Sequence, residues 1–167
     1  MSPSPLAAPI ESLLGSLSES CQNFYADRLV SLAVFGSVGR GTPRPDSDID
    51  FLLVVEKLPK GRIARMTEFQ AVETAMQPSL FLAGKSGLAP YLSPILKRPE
   101  EVLEGSLLFL DMIEDTRFLY DRRGFLQSAL EQFKARLDRL GARRIWHGQA
   151  WYWDLNPNYK WGDVFEL

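Results

Sequence analysis

Apolar residues recur at intervals of three and four along residues 10–24, which is the spacing of one helix face. This stripe consists of Ile10, Leu13, Leu14, Leu17, Cys21 and Phe24. A second stripe covers residues 125–140 and is followed by Gly141, a residue type that commonly ends helices. Residues 61–76 also have a helical composition, and Pro78 is predicted to end that helix.

Short apolar runs between these helices predict β-strands. Residues 30–35 form one run, and residues 48–55 form the clearest strand pattern in the chain. Residues 91–96 predict a third strand, which Pro94 limits to a sheet edge or to an irregular strand because a proline cannot donate to a neighbour. Residues 117–121 predict a short strand or an extended segment. Residues 99–112, which begin with a proline and two glutamates, predict a further helix.

The chain is predicted to contain one domain and two flanking segments. Residues 1–9 carry three prolines and predict a loose N-terminal arm, while residues 10–141 carry the predicted helices and strands. Residues 142–167 hold all four tryptophans and form an aromatic-rich C-terminal tail. Two hypotheses for the tail stay open, since its aromatic residues either cover the domain core or anchor a partner protein. An arginine pair beside Trp146 is a weaker candidate for contact with RNA.

The composition limits the functional classes. The 167 residues include 19 Lys and Arg against 21 Asp and Glu, for a net charge of −2, so charge gives no support to RNA as a partner. One cysteine and one histidine exclude metal sites built from those residues. Any metal must therefore have oxygen ligands, as Mg²⁺ and Mn²⁺ prefer. No apolar run is long enough to span a membrane and the N-terminus is unlike a signal peptide, so we expect a cytoplasmic protein.

The loop at residues 36–47 has the composition of a phosphate-binding turn. Gly36 follows a predicted buried strand and allows the backbone to approach a ligand closely. Ser37 supplies a hydroxyl group beside exposed backbone N–H groups. Arg40 and Arg44 are candidates for charge-assisted hydrogen bonds to phosphate oxygens.

Two carboxylates follow this loop on the next predicted strand. Asp48 and Asp50 are two residues apart, so their side chains lie on the same face of a strand. Two neighbouring negative charges repel each other unless a cation lies between them. Mg²⁺ is commonly held by one or two carboxylates together with substrate phosphates. The segment therefore predicts Asp48 and Asp50 as metal ligands and catalytic residues of nucleotidyl transfer.

The arrangement Gly36-Ser37, ten residues and then Asp48-x-Asp50 resembles the signature of the polymerase-β-like nucleotidyltransferase superfamily. The surrounding Gly-Ser-x-x-Arg-Gly-x-x-Arg-x-x-Ser-Asp-x-Asp most resembles its minimal nucleotidyltransferase (MNT) branch. The resemblance implies an α/β (α+β) fold with a short mixed sheet flanked by helices. It implies an enzyme that moves NMP from an NTP, expected to be AMP from ATP, to a hydroxyl group. It places Gly36 and Ser37 on the triphosphate, and Asp48 and Asp50 on Mg²⁺ or Mn²⁺.

The resemblance also implies a partner. Many MNT proteins are antitoxins of helical HEPN ribonucleases, and some add AMP to a tyrosine of that partner. The predicted function is therefore a Mg²⁺-dependent nucleotidyltransferase that acts on a protein or RNA hydroxyl group, in the setting of an MNT-type antitoxin.

One departure from the family pattern opens an alternative. The family usually has a third carboxylate on the next core strand, where this chain has Ser93. Glu100 and Glu101 are the nearest acids, at a predicted helix start, and are weak candidates for that role together with Ser93. If no acid fills the position, the alternative is a non-catalytic antitoxin that binds nucleotide or only its partner.

Overall fold

The computed structural model describes residues 6–148, 150–158 and 160. The helices described are α1 (Ala7–Tyr25), α2 (Gly36–Gly39), α3 (Arg62–Lys85), α4 (Pro99–Leu103), α5 (Phe109–Asp115) and α6 (Phe125–Leu140). The strands are β1 (Leu29–Val34), β2 (Ile49–Val55), β3 (Leu92–Lys97), β4 (Arg117–Asp121), β5 (Arg143–His147) and β6 (Ala150–Asp154). Short 3₁₀ turns precede β1 and α6. Among these helices, none has the length and apolar character that crossing a bilayer requires.

Four strands form a mixed sheet in the order β3-β2-β1-β4. β1 pairs antiparallel with both β2 and β4, while β2 and β3 run parallel. The parallel pair needs a long crossover, which α3 supplies. The predicted short mixed sheet flanked by helices is therefore confirmed.

Helices cover both faces of this sheet because β2 is apolar on both. One face of β2 consists of Ile49, Phe51, Leu53 and Val55, which pack in a core with α1 and α3. Leu52 and Val54 belong to a second core with α4, α5 and α6. Asp50 alternates with the first set, so it lies on the face of Leu52, toward α5.

Two helix boundaries differ from the prediction. α1 begins at Ala7, inside the predicted arm of residues 1–9, of which residues 1–5 lie outside the described part. The prediction that Pro78 ends the third helix was wrong, because α3 continues to Lys85. A proline inside a helix costs about 3 kcal/mol. Ala83 is buried and Leu80 packs against the first core, so apolar contacts beyond the proline offset that cost.

The helix predicted over residues 99–112 is broken into two. α4 ends at Leu103 and α5 begins at Phe109. Gly105 lies between them with φ +88°, a left-handed conformation that interrupts a helix and that glycine adopts without strain. The break directs Phe109 and Met112 of α5 into the second core. Compared with one continuous helix, the break also gives the acidic residues of α5 a different position relative to the sheet.

Asp121, the last residue of β4, caps α6. Its Oδ1 and Oδ2 accept the backbone N–H groups of Leu126 and Gln127, both at 3.0 Å. Ser31, the only buried polar residue identified in the described part, donates its hydroxyl to Asp121 Oδ1 at 2.6 Å. A carboxylate at a helix N-terminus satisfies N–H groups that have no acceptor within the helix. Asp121 therefore has a structural role at the start of α6.

The C-terminal tail contains a β-hairpin that sequence reasoning missed. β5 and β6 pair antiparallel around a turn at Gly148, which has φ +66°. Trp153 packs against the second core, while Trp146 and Tyr152 are more than half exposed. Trp161 lies outside the described residues. Both hypotheses for the tail aromatics therefore keep support, because one tryptophan covers the core and other rings face solvent.

Candidate functional site

The turn after β1 brings Gly36 against β2. The backbone N–H of Phe35 donates to the carbonyl oxygen of Asp50 at 3.0 Å, which ties the end of β1 to β2. Gly36 has φ +66°, and a Cβ there would lie 2.8 Å from Oδ2 of Asp50. Only glycine combines this conformation with so close an approach. The turn is therefore built around the Asp50 carboxylate.

A single helical turn, α2, carries the first polar groups of the loop. The N–H groups of Gly39 and Arg40 donate to the carbonyl oxygens of Phe35 and Gly36 at 3.2 and 3.0 Å. The first N–H groups of a helical turn have no acceptor within it, and they point toward its start. Ser37 is half-buried at this start, beside Gly36. The predicted phosphate-binding pair thus occupies the end of the turn nearest Asp50.

Asp48 and Asp50 lie at the start of β2. The strand begins at Ile49, one residue later than predicted, so exposed Asp48 immediately precedes it and half-buried Asp50 is within it. Alternation within the strand directs the Asp50 side chain to the face toward α5. The structure thereby brings the Asp50 carboxylate against the glycine turn. The role of Asp48 as a second metal ligand stays a prediction.

Ser93 is the residue of β3 directly opposite Asp50 in the parallel register. Residues opposite each other on neighbouring strands direct their side chains to the same face of the sheet. The position predicted for a third carboxylate therefore exists beside Asp50, and it holds a hydroxyl group. β3 contains no acidic residue, since the residues around Ser93 are Leu92, Pro94, Ile95, Leu96 and Lys97.

Glu100 and Glu101 lie at the other end of β3, at the start of α4. Both carboxylate oxygens of Glu101 accept hydrogen bonds of 2.9 Å from the Arg65 guanidinium, and Oε2 also accepts the Arg98 N–H at 2.7 Å. The exposed Glu100 carboxylate pairs with Arg98 at 3.4 Å. Neither acid lies beside Asp50. Ser93, which pairs with Asp50, is near the start of β3, whereas both acids follow the end of this strand. The structure gives Glu101 a capping role at α4.

Glu101→Gln is expected to destabilise the protein without changing the chemistry at Asp50. The Arg65 guanidinium, followed by the backbone and side chain of Arg98, lowers the pKa of Glu101 to about 2. Because the unfolded value is about 4.5, the stabilisation is complete above pH 4.5 and is lost as the pH falls toward 2. Loss of charged hydrogen bonds at this half-buried site costs about 2 kcal/mol at pH 7.

Urea unfolding from pH 7 to pH 2.5 measures this effect. The variant is expected to unfold at lower urea at pH 7 and to lose less stability on acidification than the parent. The exposed Glu100→Gln is the matched control and should change neither quantity by more than about 0.5 kcal/mol. Equal acid sensitivity of Glu101→Gln and the parent would contradict the assigned role.

Asp111 on α5 is the acid near Asp50 that sequence reasoning did not select. Desolvation raises the pKa of the exposed Asp111 carboxyl group, and the carboxylates of Asp115 and Asp50 raise it further, against lowering by Arg144 and Arg40. Its carboxylate is thus within the electrostatic reach of Asp50. The sequence had placed Asp111 near the end of a continuous helix, and the break at Gly105 puts it instead in the first turn of α5.

The two arginines of the loop have different surroundings. Nη1 of Arg40 donates to Oδ2 of Asp115 at 3.3 Å, which holds Arg40 against α5. The Arg44 side chain is 81% exposed, and its Nε lies 3.7 Å from Oδ1 of Asp46. Arg40 therefore has a fixed position next to the turn. The role of Arg44 stays a prediction.

The carboxylates of Asp48 and Asp50 suit a cation whose remaining ligands are water and phosphate oxygens. Within the described residues, no three His, Cys, Asp or Glu side chains lie close enough to hold a metal by themselves. Two carboxylates at the start of β2 match the requirement of Mg²⁺, which keeps several positions for water and phosphate oxygens. A cavity of about 670 Å³ lies elsewhere, lined by Arg62, Arg65, Lys97 and Glu101 among others, and contains none of the motif residues.

One family profile covers most of the chain, and several known proteins are similar to it. The profile described as nucleotidyltransferase domain matches residues 15–123, which include the Gly36 turn and both aspartates. A curated protein of Methanocaldococcus jannaschii, "Putative protein adenylyltransferase MJ1305", is 28% identical over 133 residues, or 78% of this chain and 85% of its own length. A toxin–antitoxin structure with AMP-PNP is 15% identical, with TM-score 0.42 over 76% of this chain and 92% of that chain. A variant of the toxin–antitoxin MntA–HpeT is 16% identical, with TM-score 0.40 over 72% and 86%.

Proposed function

The chain belongs to the nucleotidyltransferase domain family, and we propose that it transfers AMP from ATP to a hydroxyl group of a protein in a Mg²⁺-dependent reaction. The observation that carries this proposal is the closeness of the turn to the carboxylate, since a Cβ at Gly36 would lie 2.8 Å from Asp50 Oδ2. The protein adenylyltransferase named above, 28% identical, supports AMP and a protein as the transferred group and the acceptor. The MNT resemblance is consistent with this family.

In the proposed site, each motif residue has a distinct task. The backbone of Gly36 and the hydroxyl of Ser37 donate hydrogen bonds to phosphate oxygens, and Arg40 adds a positive charge beside them. Asp48 and Asp50 would hold Mg²⁺, which supplies charge neutralisation of the triphosphate when bound. The acceptor oxygen bonds to the α-phosphorus, and the bond to the β-phosphate oxygen breaks, so that pyrophosphate leaves.

The acceptor hydroxyl must lose a proton during this transfer. Ser93 cannot serve as a carboxylate base, although it lies opposite Asp50. We assign this task to Asp111, because it lies in the first turn of α5, the helix that packs against the motif loop where Asp115 meets Gly39. Desolvation also raises the pKa of its carboxyl group. A carboxylate with a raised pKa is a better proton acceptor at neutral pH.

We expect the partner to be a HEPN-type protein in the cytoplasm, as the MNT resemblance implies. Acceptor and partner would then be the same molecule. The second candidate function is an antitoxin that binds nucleotide or its partner without catalysis. Ser93 is the specific observation that favours it, because a hydroxyl group replaces the third carboxylate next to Asp50.

Two labelled forms of ATP test the proposal. The assay contains MgCl₂ and the expected partner, purified as the product of the reading frame next to this gene. Label from [α-³²P]ATP should become attached to protein, while label from [γ-³²P]ATP should appear as pyrophosphate. EDTA should abolish both. Transfer of the γ label to protein would indicate phosphoryl transfer and contradict the proposal. ATP binding without transfer of either label would support the second candidate.

Asp111→Asn tests whether this carboxylate accepts the proton. We expect it to lower the rate of α-label transfer about 100-fold, as loss of a proton acceptor commonly does, while ATP binding is retained. Glu104→Gln, at the exposed end of α4, is the control and should leave the rate unchanged. An unchanged rate in Asp111→Asn would remove the assigned task from this residue.

A further inference from the structure

The C-terminal hairpin holds Arg144 against α5, outside the residues that match the family profile. Its Nη1 donates to Oε2 of Glu114 at 2.7 Å, and its Nη2 lies 3.9 Å from Oδ2 of Asp115. The guanidinium also lies over the Trp146 ring, 4.7 Å from its centroid. With only 12% of its side chain exposed, Arg144 has a defined position rather than a free surface one.

Asp115 links Arg144 to the loop that carries the motif. The same oxygen, Oδ2 of Asp115, also accepts the Arg40 guanidinium at 3.3 Å. The backbone of Asp115 packs on the loop as well, because a Cβ at Gly39 would lie 2.2 Å from its carbonyl oxygen. Arg144 is therefore two polar contacts away from the proposed phosphate-binding turn, on the far side of Asp115.

Both arginines offset the negative charge of this cluster. α5 contributes three carboxylates here, those of Asp111, Glu114 and Asp115. Without Arg144, Arg40 alone would offset them, and Asp115 would pair with Arg40 more completely. A guanidinium that is neutralised by its own neighbour has less charge to offer a phosphate group.

We propose that Arg144 is a positioning residue for nucleotide binding, since it shares Asp115 with Arg40 and so leaves the Arg40 guanidinium placed and available for the phosphates. This inference deepens the proposed function and rests on it. The hairpin, which lies beyond the family match, would then be part of the nucleotide-binding machinery.

Titration calorimetry with a non-hydrolysable ATP analogue and MgCl₂ tests this role on the full chain. Arg144→Ala is expected to weaken binding about 10-fold, which is the typical effect of one charged hydrogen bond. Arg144→Lys keeps the charge and should recover most of the affinity. Arg143→Ala is the matched control on the same strand, because its 65% exposed side chain contacts Asp154 at 3.7 Å and should not affect binding.

A double variant shows whether Arg144 acts through Arg40. Arg40→Ala combined with Arg144→Ala should bind no more weakly than Arg40→Ala alone, while Arg143→Ala should leave the effect of Arg40→Ala unchanged. Independent effects of Arg40 and Arg144, or normal affinity in Arg144→Ala, would overturn the positioning role alone. Failure of the parent protein to bind the analogue would overturn the proposed function as well. Thermal unfolding of each variant, with Arg144→Lys as the folded reference, separates a loss of affinity from a loss of structure.

Discussion

Asp50→Asn is expected to lower the rate of AMP transfer at least about 100-fold while the protein stays folded. Asp50 is the acid that lies against the glycine turn, where we propose that the cation and the triphosphate bind. Loss of one metal-binding carboxylate removes about 3 kcal/mol or more of transition-state stabilisation, which is about 100-fold. The side chain is only half-buried and shares its surroundings with Asp48, so the amide removes charge repulsion and should not destabilise the fold.

Transfer of label from [α-³²P]ATP and thermal unfolding, measured on the same preparations, check this expectation. Asp46→Asn is the matched control in the same loop, because Asp46 forms only an exposed pair with Arg44 and should keep the parent rate. The dependence of ATP affinity on Mg²⁺ should be lost in Asp50→Asn and kept in Asp46→Asn. A rate within 3-fold of the parent in Asp50→Asn would contradict the assignment of the β2 carboxylates.

Gly39→Ala is expected to destabilise the protein by about 1–3 kcal/mol and to abolish tight ATP binding. Its Cβ would lie 2.2 Å from the carbonyl oxygen of Asp115 and 3.1 Å from that of Val34. Both neighbours are backbone atoms, so neither can rotate away as a side chain would. The added methyl group must push α2 away from α5, and this displaces the turn that carries Gly36.

Gly15→Ala makes the same chemical change where nothing lies within 4 Å, on the exposed face of α1. It should raise the free energy of unfolding by about 0.5–1 kcal/mol, because alanine loses less backbone entropy in a helix. Urea unfolding at pH 7 measures both variants, and opposite signs are expected. If Gly39→Ala were as stable as Gly15→Ala, the close approach of α2 to α5 would be wrong.

The sequence was most informative where chemistry and spacing coincide. Gly36, Ser37, Asp48 and Asp50 stand within fifteen residues of one another, so a short-range pattern was enough to indicate the family, and the family is confirmed. The predicted mixed α/β fold is confirmed too. It could be predicted because apolar runs and helical stripes show which face each element buries. The site residues themselves remain predictions, which the variants above test.

Contacts between distant parts of the chain were beyond the reach of the sequence pattern. Pro78 was expected to end a helix because local propensity alone was considered, whereas burial of residues beyond it offsets the cost. The hairpin was missed because residues 142–167 were interpreted only as an aromatic-rich tail. Its turn contains one glycine, Gly148, which is a weak signal in the sequence. Local rules do not report such tertiary gains.

By itself, the sequence determined the family and the mixed α/β fold, and it predicted the phosphate-binding turn and the carboxylate pair, because these lie on adjacent elements joined by one loop. The tertiary structure alone decided what surrounds them. It placed Ser93 opposite Asp50, set Asp111 in the first turn of α5 and brought Arg144 from the C-terminal hairpin to the Asp115 that holds Arg40. These groups lie on different elements of the chain, and they meet because β3 pairs with β2 and because α5 packs against both the motif loop and the hairpin.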